Sequence, residues 1–381
     1  MKKQKVIIAL VLALLALLVS YISTNLSVSI SGEKEVLKYW NAISSIFSKK
    51  ARNVVPDDVV FINVSSDRQL VDISDEFGIP IGNAPITDRQ KLYDLLSLLQ
   101  SDGSYAYVML DVFFEDGYAT EEDSLLFNLI SSMERIVIPQ HADGVLLNPL
   151  LKEKAAYSDY STNLREDNFV KYPLLDRTGT YPSMPLKAYT ELTGRTVRKH
   201  GFLYTDKSSL SRRVVFPKMT IVIDSPVGPK GEKTYLNLGT DILDNRDDID
   251  WENRTLVIGS FTGDDIHQTY AGLIPGCVIN YNVLASLLRG QHKIPFGLIL
   301  VYFLIFFTMS ILLLNGKTGG EQSWAWLWAK LFVLYSIVLT IVCIVVFMIW
   351  GQAHDVFITS TLFSIIDTCK RWVTNKKKKN A

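Results

Sequence analysis

The chain has 381 residues, and its 39 basic side chains balance 39 acidic ones, so the formal net charge is zero. This balance gives no indication of nucleic-acid binding, which a basic surface would favour. Hydrophobic residues make up 48% of the chain. They are concentrated at 6–22 and beyond 295, whereas the middle has the composition of a soluble domain. The three cysteines have no CxxC spacing, and we interpret them as small hydrophobic side chains.

Near the N-terminus, an apolar stretch at 6–22 follows Lys2, Lys3 and Lys5. Its length is near the lower limit for a helix that crosses a bilayer, and it exceeds the usual core of a signal peptide. No A-x-A cleavage pattern follows it. We therefore predict a transmembrane anchor at 1–23, with a cleaved signal peptide as the alternative. In both cases the chain that follows is exported.

Three further membrane spans are predicted within 295–371, and they cover 295–314, 324–350 and 354–370. The first carries no charged residue, and the second has tryptophans near its ends, as an aromatic belt requires. The third is shorter and more polar, because it contains His354, Asp355 and Asp367. A basic tail with four adjacent lysines follows at 372–381.

The distribution of lysines predicts the orientation in the membrane, because basic residues near membrane spans remain in the cytoplasm. The N-terminal lysines, the loop at 315–323 and the tail at 372–381 then lie on the cytoplasmic side. Residues 23–292 lie outside. This arrangement requires the segment at 354–370 to cross the bilayer, since otherwise the basic tail would be exported.

The exported part begins with a predicted juxtamembrane helix at 33–52, in which Val36, Trp40, Ile43 and Phe47 recur at helical spacing. The domain at 53–292 then alternates between strands and helices. Strands are predicted at 59–64, 107–114 and 135–140, and helices at 88–101 and 121–133. This order predicts an α/β fold in which a mostly parallel sheet is covered by helices.

The second half of the domain is less regular. A helix is predicted at 182–192, ending at Gly194, and short strands are predicted around 203–206, 213–217 and 220–224. Further along the chain, a polar loop leads into a buried strand, LVIGS, and then into a helix at 278–289.

Three segments of the chain resemble the CHASE2 family. The segments at 59–99 and 107–130 are similar to the opening and central strand–helix units of CHASE2 domains. The segment at 253–288 resembles the terminal pattern of a V-x-I-G strand followed by D-x-H-x-T-x-x-G-x-x-P-G-V-x-x-x-A-N-A-L. The matching positions are Gly259, Asp265, His267, Thr269, Gly272, Pro275, Gly276, Val278, Asn282 and Leu284.

The chain departs from the family pattern in its first loop and in its last helix. Only Asp67 remains of the acidic residues that follow the first strand in the family, and the tryptophans of the next segment are missing. Asn280 and Tyr281 stand where the family often has histidine and alanine.

The resemblance implies an extracytoplasmic sensory domain followed by three transmembrane helices in the bacterial inner membrane. In such proteins the spans normally lead to a kinase or cyclase. After the last predicted span this chain has only the tail at 372–381, so we expect its output to come from a separate protein.

Candidate ligand-binding residues lie at the ends of predicted strands, where parallel sheets form their binding crevices. They are Asp67, Asp111, Asp265, His267 and Thr269. In the alternative interpretation, Asp and Thr only cap backbone amides in a structural loop. We assign a structural role to Gly259, Gly272, Pro275, Gly276 and Asn282.

No catalytic motif or cofactor site is predicted. No metal site is predicted either, since His267 supplies only one of the three or four ligands that zinc needs. The leading hypothesis is a membrane-anchored sensor or adaptor that binds a ligand or partner outside the cytoplasm. The alternative is a structural or assembly subunit that uses the domain for docking. A third hypothesis is a hydrolase using Asp111, Asp265 and His267. The expected partners are the lipid bilayer, a membrane or periplasmic protein and a second copy of the chain.

Overall fold

The structure is a computed structural model and describes residues 3–27, 33–47, 53–74, 77, 79–160, 169–245, 249–315, 324–352 and 356–379. The α-helices in these residues are α1 (Lys3–Thr24), α2 (Glu33–Phe47), α3 (Arg89–Asp102), α4 (Asp123–Ser132), α5 (Met184–Thr193), α6 (Gly276–Leu288), α7 (Phe296–Asn315), α8 (Trp324–Trp350) and α9 (Val356–Lys379).

The strands of the first half are β1 (Val59–Asn63), β2 (Arg68–Ser74), β3 (Pro80–Thr87), β4 (Tyr107–Leu110), β5 (Ile136–Gln140), β6 (Ala155–Tyr157) and β7 (Tyr172–Pro173). Those of the second half are β8 (Val197–His200), β9 (Leu203–Asp206), β10 (Ser209–Ser211), β11 (Val214–Val215), β12 (Leu236–Asn237), β13 (Thr255–Gly259), β14 (Ile266–Thr269) and β15 (Gly272–Pro275).

The centre of the domain is a six-stranded sheet with the order β12-β1-β13-β4-β5-β6. Every neighbouring pair in it is parallel. β1, β4 and β13 are buried along their whole length, because helices cover both faces of the sheet. The predicted α/β fold with a parallel sheet is confirmed.

The helix after the first strands illustrates why this region was predictable. Asp88 caps α3 by accepting a hydrogen bond from the backbone N–H of Lys91 at 2.9 Å, and Gly103 ends the helix in a left-handed conformation. The buried face of the helix is formed by leucines at helical spacing, which are Leu92, Leu95, Leu96 and Leu99.

Two features of the domain differ from the sequence prediction. The antiparallel hairpin of β2 and β3 stands between β1 and α3, where no strands were predicted. Conversely, the prediction of a strand at 220–224 is wrong, because this segment pairs with no strand in the described part of the chain. At the start of this segment, the Asn282 side chain takes the place of a partner strand. Its Oδ1 accepts hydrogen bonds from the backbone N–H groups of Thr220 and Ile221 at 3.0 and 3.1 Å, and its Nδ2 donates to the Ile221 carbonyl at 2.9 Å.

Three of the described helices are long and apolar enough to cross a membrane: Lys3–Thr24, Phe296–Asn315 and Val333–Trp350. They correspond to the anchor and to the first two C-terminal spans of the sequence prediction. The third predicted span, 354–370, lies largely within α9, which continues through the basic tail to Lys379. Its crossing of the bilayer stays a prediction, as His354 and Asp355 lie outside the described residues.

α2 connects the domain to the membrane helices. Its described part ends at Phe47, so 48–52 of the predicted juxtamembrane helix lie outside the described residues. Trp40 packs edge to face on Phe347 of α8, with ring centroids 5.6 Å apart. At the other end of α2, Glu33 Oε2 lies 2.9 Å from the Nζ of Lys171, and both side chains are buried in the domain.

Candidate functional site

A cavity of about 550 Å³ lies at the carboxyl ends of the parallel strands. Its walls come from the segments that follow β1, β4, β5, β6 and β13, together with the start of α6 and the β2–β3 hairpin. Ligands of open α/β sheets bind in crevices at this edge, and the volume falls in the range of small-molecule sites. The cavity is therefore the candidate functional site.

Asp111, directly after β4, is held from α6. Asn280 Nδ2 donates a hydrogen bond to Asp111 Oδ2 at 2.9 Å, and Asn280 Oδ1 accepts one from the Tyr172 hydroxyl at 2.8 Å. Burial, together with the negative charge of Asp265, raises the pKa of Asp111 to about 7. The Asn280 hydrogen bond acts in the opposite direction, since it favours the ionised form.

Asp265 and His267 lie on the next wall, before and within β14. His267 Nε2 lies 3.3 Å from Asp265 Oδ1, and its Nδ1 is hydrogen-bonded to the Tyr160 hydroxyl. Gly276, the first residue of α6, allows the Asp265 carboxylate to lie against the helix. A β-carbon on Gly276 would come within 2.4 Å of Asp265 Oδ1.

Gly259, the last residue of β13, permits a second close approach. A β-carbon there would lie 2.6 Å from Cys277 Cβ and 3.3 Å from Asp111 Cβ. The two glycines therefore bring α6 and its Asn280 against the strand ends, where the two carboxylates stand. Neither Gly259 nor Gly276 has a φ in the left-handed region.

His141, just beyond β5, forms a third wall with Asp159. A hydrogen bond of 2.6 Å connects His141 Nδ1 and Asp159 Oδ1, and the backbone N–H of Ala142 donates to Asp159 Oδ2 at 2.8 Å. The hydrogen bond with Asp159 raises the pKa of His141. Burial alone would raise the pKa of Asp159, but the hydrogen bonds from His141 and Ala142 lower it overall.

Comparison with protein families matches the CHASE2 domain over residues 17–314. The chain belongs to the CHASE2 family. The family is one of extracytoplasmic sensory domains. No curated protein and no solved structure matches the chain.

Three of the ligand-binding candidates line the cavity of this CHASE2 domain, and they are Asp111, Asp265 and His267. Asp67 lies elsewhere: its Oδ1 accepts from Lys91 Nζ at 2.6 Å, which ties the loop after β1 to α3. Thr269 closes the β14–β15 turn, where its hydroxyl donates to the Gly272 carbonyl at 2.8 Å.

Several side chains of the CHASE2 cavity were not predicted from the sequence, and they are His141, Asp159, Tyr160, Tyr172 and Asn280. His141 follows the end of a predicted strand, so the rule that binding residues lie at strand ends, which identified Asp111, would also have identified it. The others lie on irregular segments or on α6, and only the fold brings them to the cavity. No group of three or more metal-binding side chains occurs among the described residues.

Proposed function

We propose that the chain is a membrane-anchored sensor whose CHASE2 domain binds a small ligand in the cavity and signals through a separate protein. The observation that supports this is the position of α6. Asn280 on this helix contacts Asp111 in the cavity, and only residues 289–295 separate the helix from the membrane helix α7. A ligand that displaces Asn280 therefore acts on an element joined directly to α7.

The link between α6 and α7 is fixed to the domain by a buried polar cluster. Asp206 Oδ2 lies 2.9 Å from His292 Nε2, 3.0 Å from Lys293 Nζ and 3.0 Å from the Tyr189 hydroxyl. Asp206 and His292 are fully buried. Such a charge-assisted cluster resists local bending, so the link is a stiff connection between α6 and α7.

A second contact route leads from the cavity to α8. The Tyr160 hydroxyl binds His267, and the Tyr160 ring packs on Phe169 with centroids 5.1 Å apart. Two residues further, Lys171 pairs with Glu33 of α2. α2 then contacts α8. Lys218 lies beside this contact, with its Nζ 5.2 Å from the ring of Trp40 on α2 and 5.5 Å from the ring of Phe347 on α8.

Spin labels test the proposed coupling without a ligand. One label replaces Leu150, which is exposed on the domain, and the other replaces Leu312, which is exposed on α7, in full-length protein with Cys369 changed to serine. In lipid nanodiscs, Asn280→Ala should shift the distance distribution between the labels, because α6 loses its hold on Asp111. Asp57→Asn, a change at an exposed side chain, is the control. If the labelled parent protein, Asn280→Ala and Asp57→Asn all gave the same distance distribution, the proposed sensor function would be contradicted.

A docking subunit is the second candidate, and the β2–β3 hairpin favours it. The hairpin carries large apolar side chains that are well exposed, namely Leu70, Phe77, Ile79 and Ile81. Exposed apolar groups on a folded domain often mark a protein contact. Under this hypothesis, Leu70→Ser with Ile81→Ser abolishes co-purification of a native partner, whereas Asn280→Ala leaves both the partner and the label distance unchanged.

A further inference from the structure

The cavity contains two regions of opposite charge. On one side, Asp111 and Asp265 both line the cavity, and the negative charge of Asp265 disfavours ionisation of Asp111. Within the described residues no lysine or arginine pairs with either, and the nearest basic partner of Asp265 is His267. A cationic group placed between the two carboxylates would remove their repulsion, so this side is suited to an ammonium group.

The other side is formed by the β2–β3 hairpin and the start of α3, and it carries two arginines. Arg89 is only 1% exposed, with its Nε 3.3 Å from Asp123 Oδ1 and its guanidinium 4.5 Å from the Phe114 ring centroid. Its Nη1 is buried and has no hydrogen-bond acceptor in the part of the chain that the structure describes. A buried donor of this kind is costly unless an acceptor is supplied.

Arg68, the second arginine, donates to neutral oxygen atoms of the described residues. Its Nε donates to the Ser65 carbonyl at 3.2 Å and its Nη1 to the Thr87 hydroxyl at 3.5 Å. Within the described residues no acidic side chain forms an ion pair with it. The guanidinium geometry favours planar anions, above all carboxylates.

We propose that the cavity binds a small zwitterion, a free amino acid or dipeptide, with its ammonium group at Asp111 and Asp265 and its carboxylate at Arg89 and Arg68. This ligand class rests on the proposed sensor function. A simple anion is disfavoured by the carboxylates, and a metal ion would leave the arginines without a partner. The cavity of about 550 Å³ has room for ligands of this size.

The test uses full-length protein in nanodiscs and calorimetric titration with the twenty L-amino acids and their glycyl dipeptides. Each compound that binds is compared with its N-acetyl form, which lacks the ammonium group, and its methyl ester, which lacks the carboxylate. Both derivatives should bind about tenfold more weakly or worse, because each leaves one charged region without a partner. A derivative that binds as tightly as its parent overturns the proposal.

Protein variants separate the two regions. Asp265→Asn and Arg68→Gln should each weaken binding of the parent compound by about tenfold. Arg195→Gln and Asp57→Asn, at exposed positions outside the cavity, should leave it unchanged. Arg89→Lys keeps a charge beside Asp123 but lacks the planar fork, and it should also weaken binding. Unchanged affinity in Asp265→Asn and Arg68→Gln would overturn the assignment.

The outcomes also distinguish this proposal from the sensor function. If none of these compounds binds while Asn280→Ala still moves α7, the ligand class is wrong and the sensor remains supported. If a zwitterion binds with the expected selectivity while the distance between the labels stays unchanged, the ligand class remains supported and the coupling is wrong.

Discussion

Gly276 and Asp265 are in such close contact that the glycine leaves no room for a side chain. A β-carbon on Gly276 would lie 2.4 Å from Asp265 Oδ1 and 3.1 Å from its Cγ. A position can require glycine either because its φ is positive or because a neighbouring group comes too close for a side chain. The structure gives Gly276 a φ outside the left-handed region and makes it the first residue of α6. The carboxylate, rather than the backbone, requires the glycine.

A double-mutant cycle at these two residues tests this cause. Gly276→Val should lower the free energy of unfolding by about 1–3 kcal/mol, because the new side chain collides with the Asp265 carboxylate. Adding Asp265→Ala should recover most of that loss, which a thermal melt of the full-length protein would reveal. Gly272→Ala is the control, since its φ of 118° causes backbone strain that Asp265→Ala does not relieve. Additive effects of Gly276→Val and Asp265→Ala would contradict a steric cause.

The raised pKa of Asp111 predicts a pH dependence of stability. The pKa moves from an ordinary 3.8 to about 7 in the folded protein, so folding takes up a proton between these values. The associated stabilisation is complete below the unfolded pKa and is lost as the pH rises through the folded one. Wild-type protein should therefore lose stability relative to Asp111→Asn as the pH rises.

Melting curves of both proteins from about pH 5 to about pH 8 give the measurement. The stability difference in favour of Asp111→Asn should grow by about 1 kcal/mol or more over this range. Titrating groups that do not interact with Asp111 are present in both proteins, so their effects cancel in the comparison. A difference that stays constant with pH would show that Asp111 ionises at its ordinary pKa.

The buried pair of Lys171 and Glu33 predicts a strong dependence of stability on both partners. Lys171→Met removes a cation that lies 2.9 Å from the buried Glu33 carboxylate and should cost about 3–5 kcal/mol. Lys171→Met with Glu33→Leu should restore only part of this loss, because an apolar pair replaces these two charges while Arg212 loses its interaction with Glu33. Both are measured by thermal melts of the full-length protein.

The exposed pair of Lys38 and Glu35 provides the matched control on the same helix. These side chains lie 3.6 Å apart and are half exposed, so Lys38→Met should change the stability by less than about 1 kcal/mol. Equal effects of Lys171→Met and Lys38→Met would contradict a role of the buried pair in holding α2 on the domain.

The sequence predicted the regular part of the fold because its signals are local. Buried apolar runs define β1, β4, β5 and β13, and Asp88 with Gly103 marks both ends of α3. The segment at 220–224 was misleading, since its apolar pattern suits a strand while the backbone of Thr220 and Ile221 is hydrogen-bonded to the side chain of Asn282. No local pattern records such a distant side-chain partner.

The site was partly predictable for the same reason. Asp111 and Asp265 follow recognisable strands, and strand ends in a parallel sheet meet at one edge. Asp67 also follows a strand, but it turns towards Lys91, a contact that depends on where α3 packs. Tyr160, Tyr172 and Asn280 reach the cavity from segments far apart in the sequence, so their convergence depends on the packing of α6 on the sheet.

The orientation in the membrane is the last prediction, and it depends on α9. Asp367 in this helix is only 4% exposed, so it lies among the helices of this chain, which fits a polar residue in a membrane-embedded bundle.

If α9 crosses the bilayer, a reporter fused after Ala381 is cytoplasmic, whereas one fused after Gly290 is exported. Alkaline phosphatase, active only when exported, should give activity after Gly290 and none after Ala381. Green fluorescent protein, exported in an unfolded and dark form, should give the reverse pattern. Phosphatase activity at both positions would show that α9 stays outside the membrane, and inactivity after Gly290 would contradict an exported CHASE2 domain.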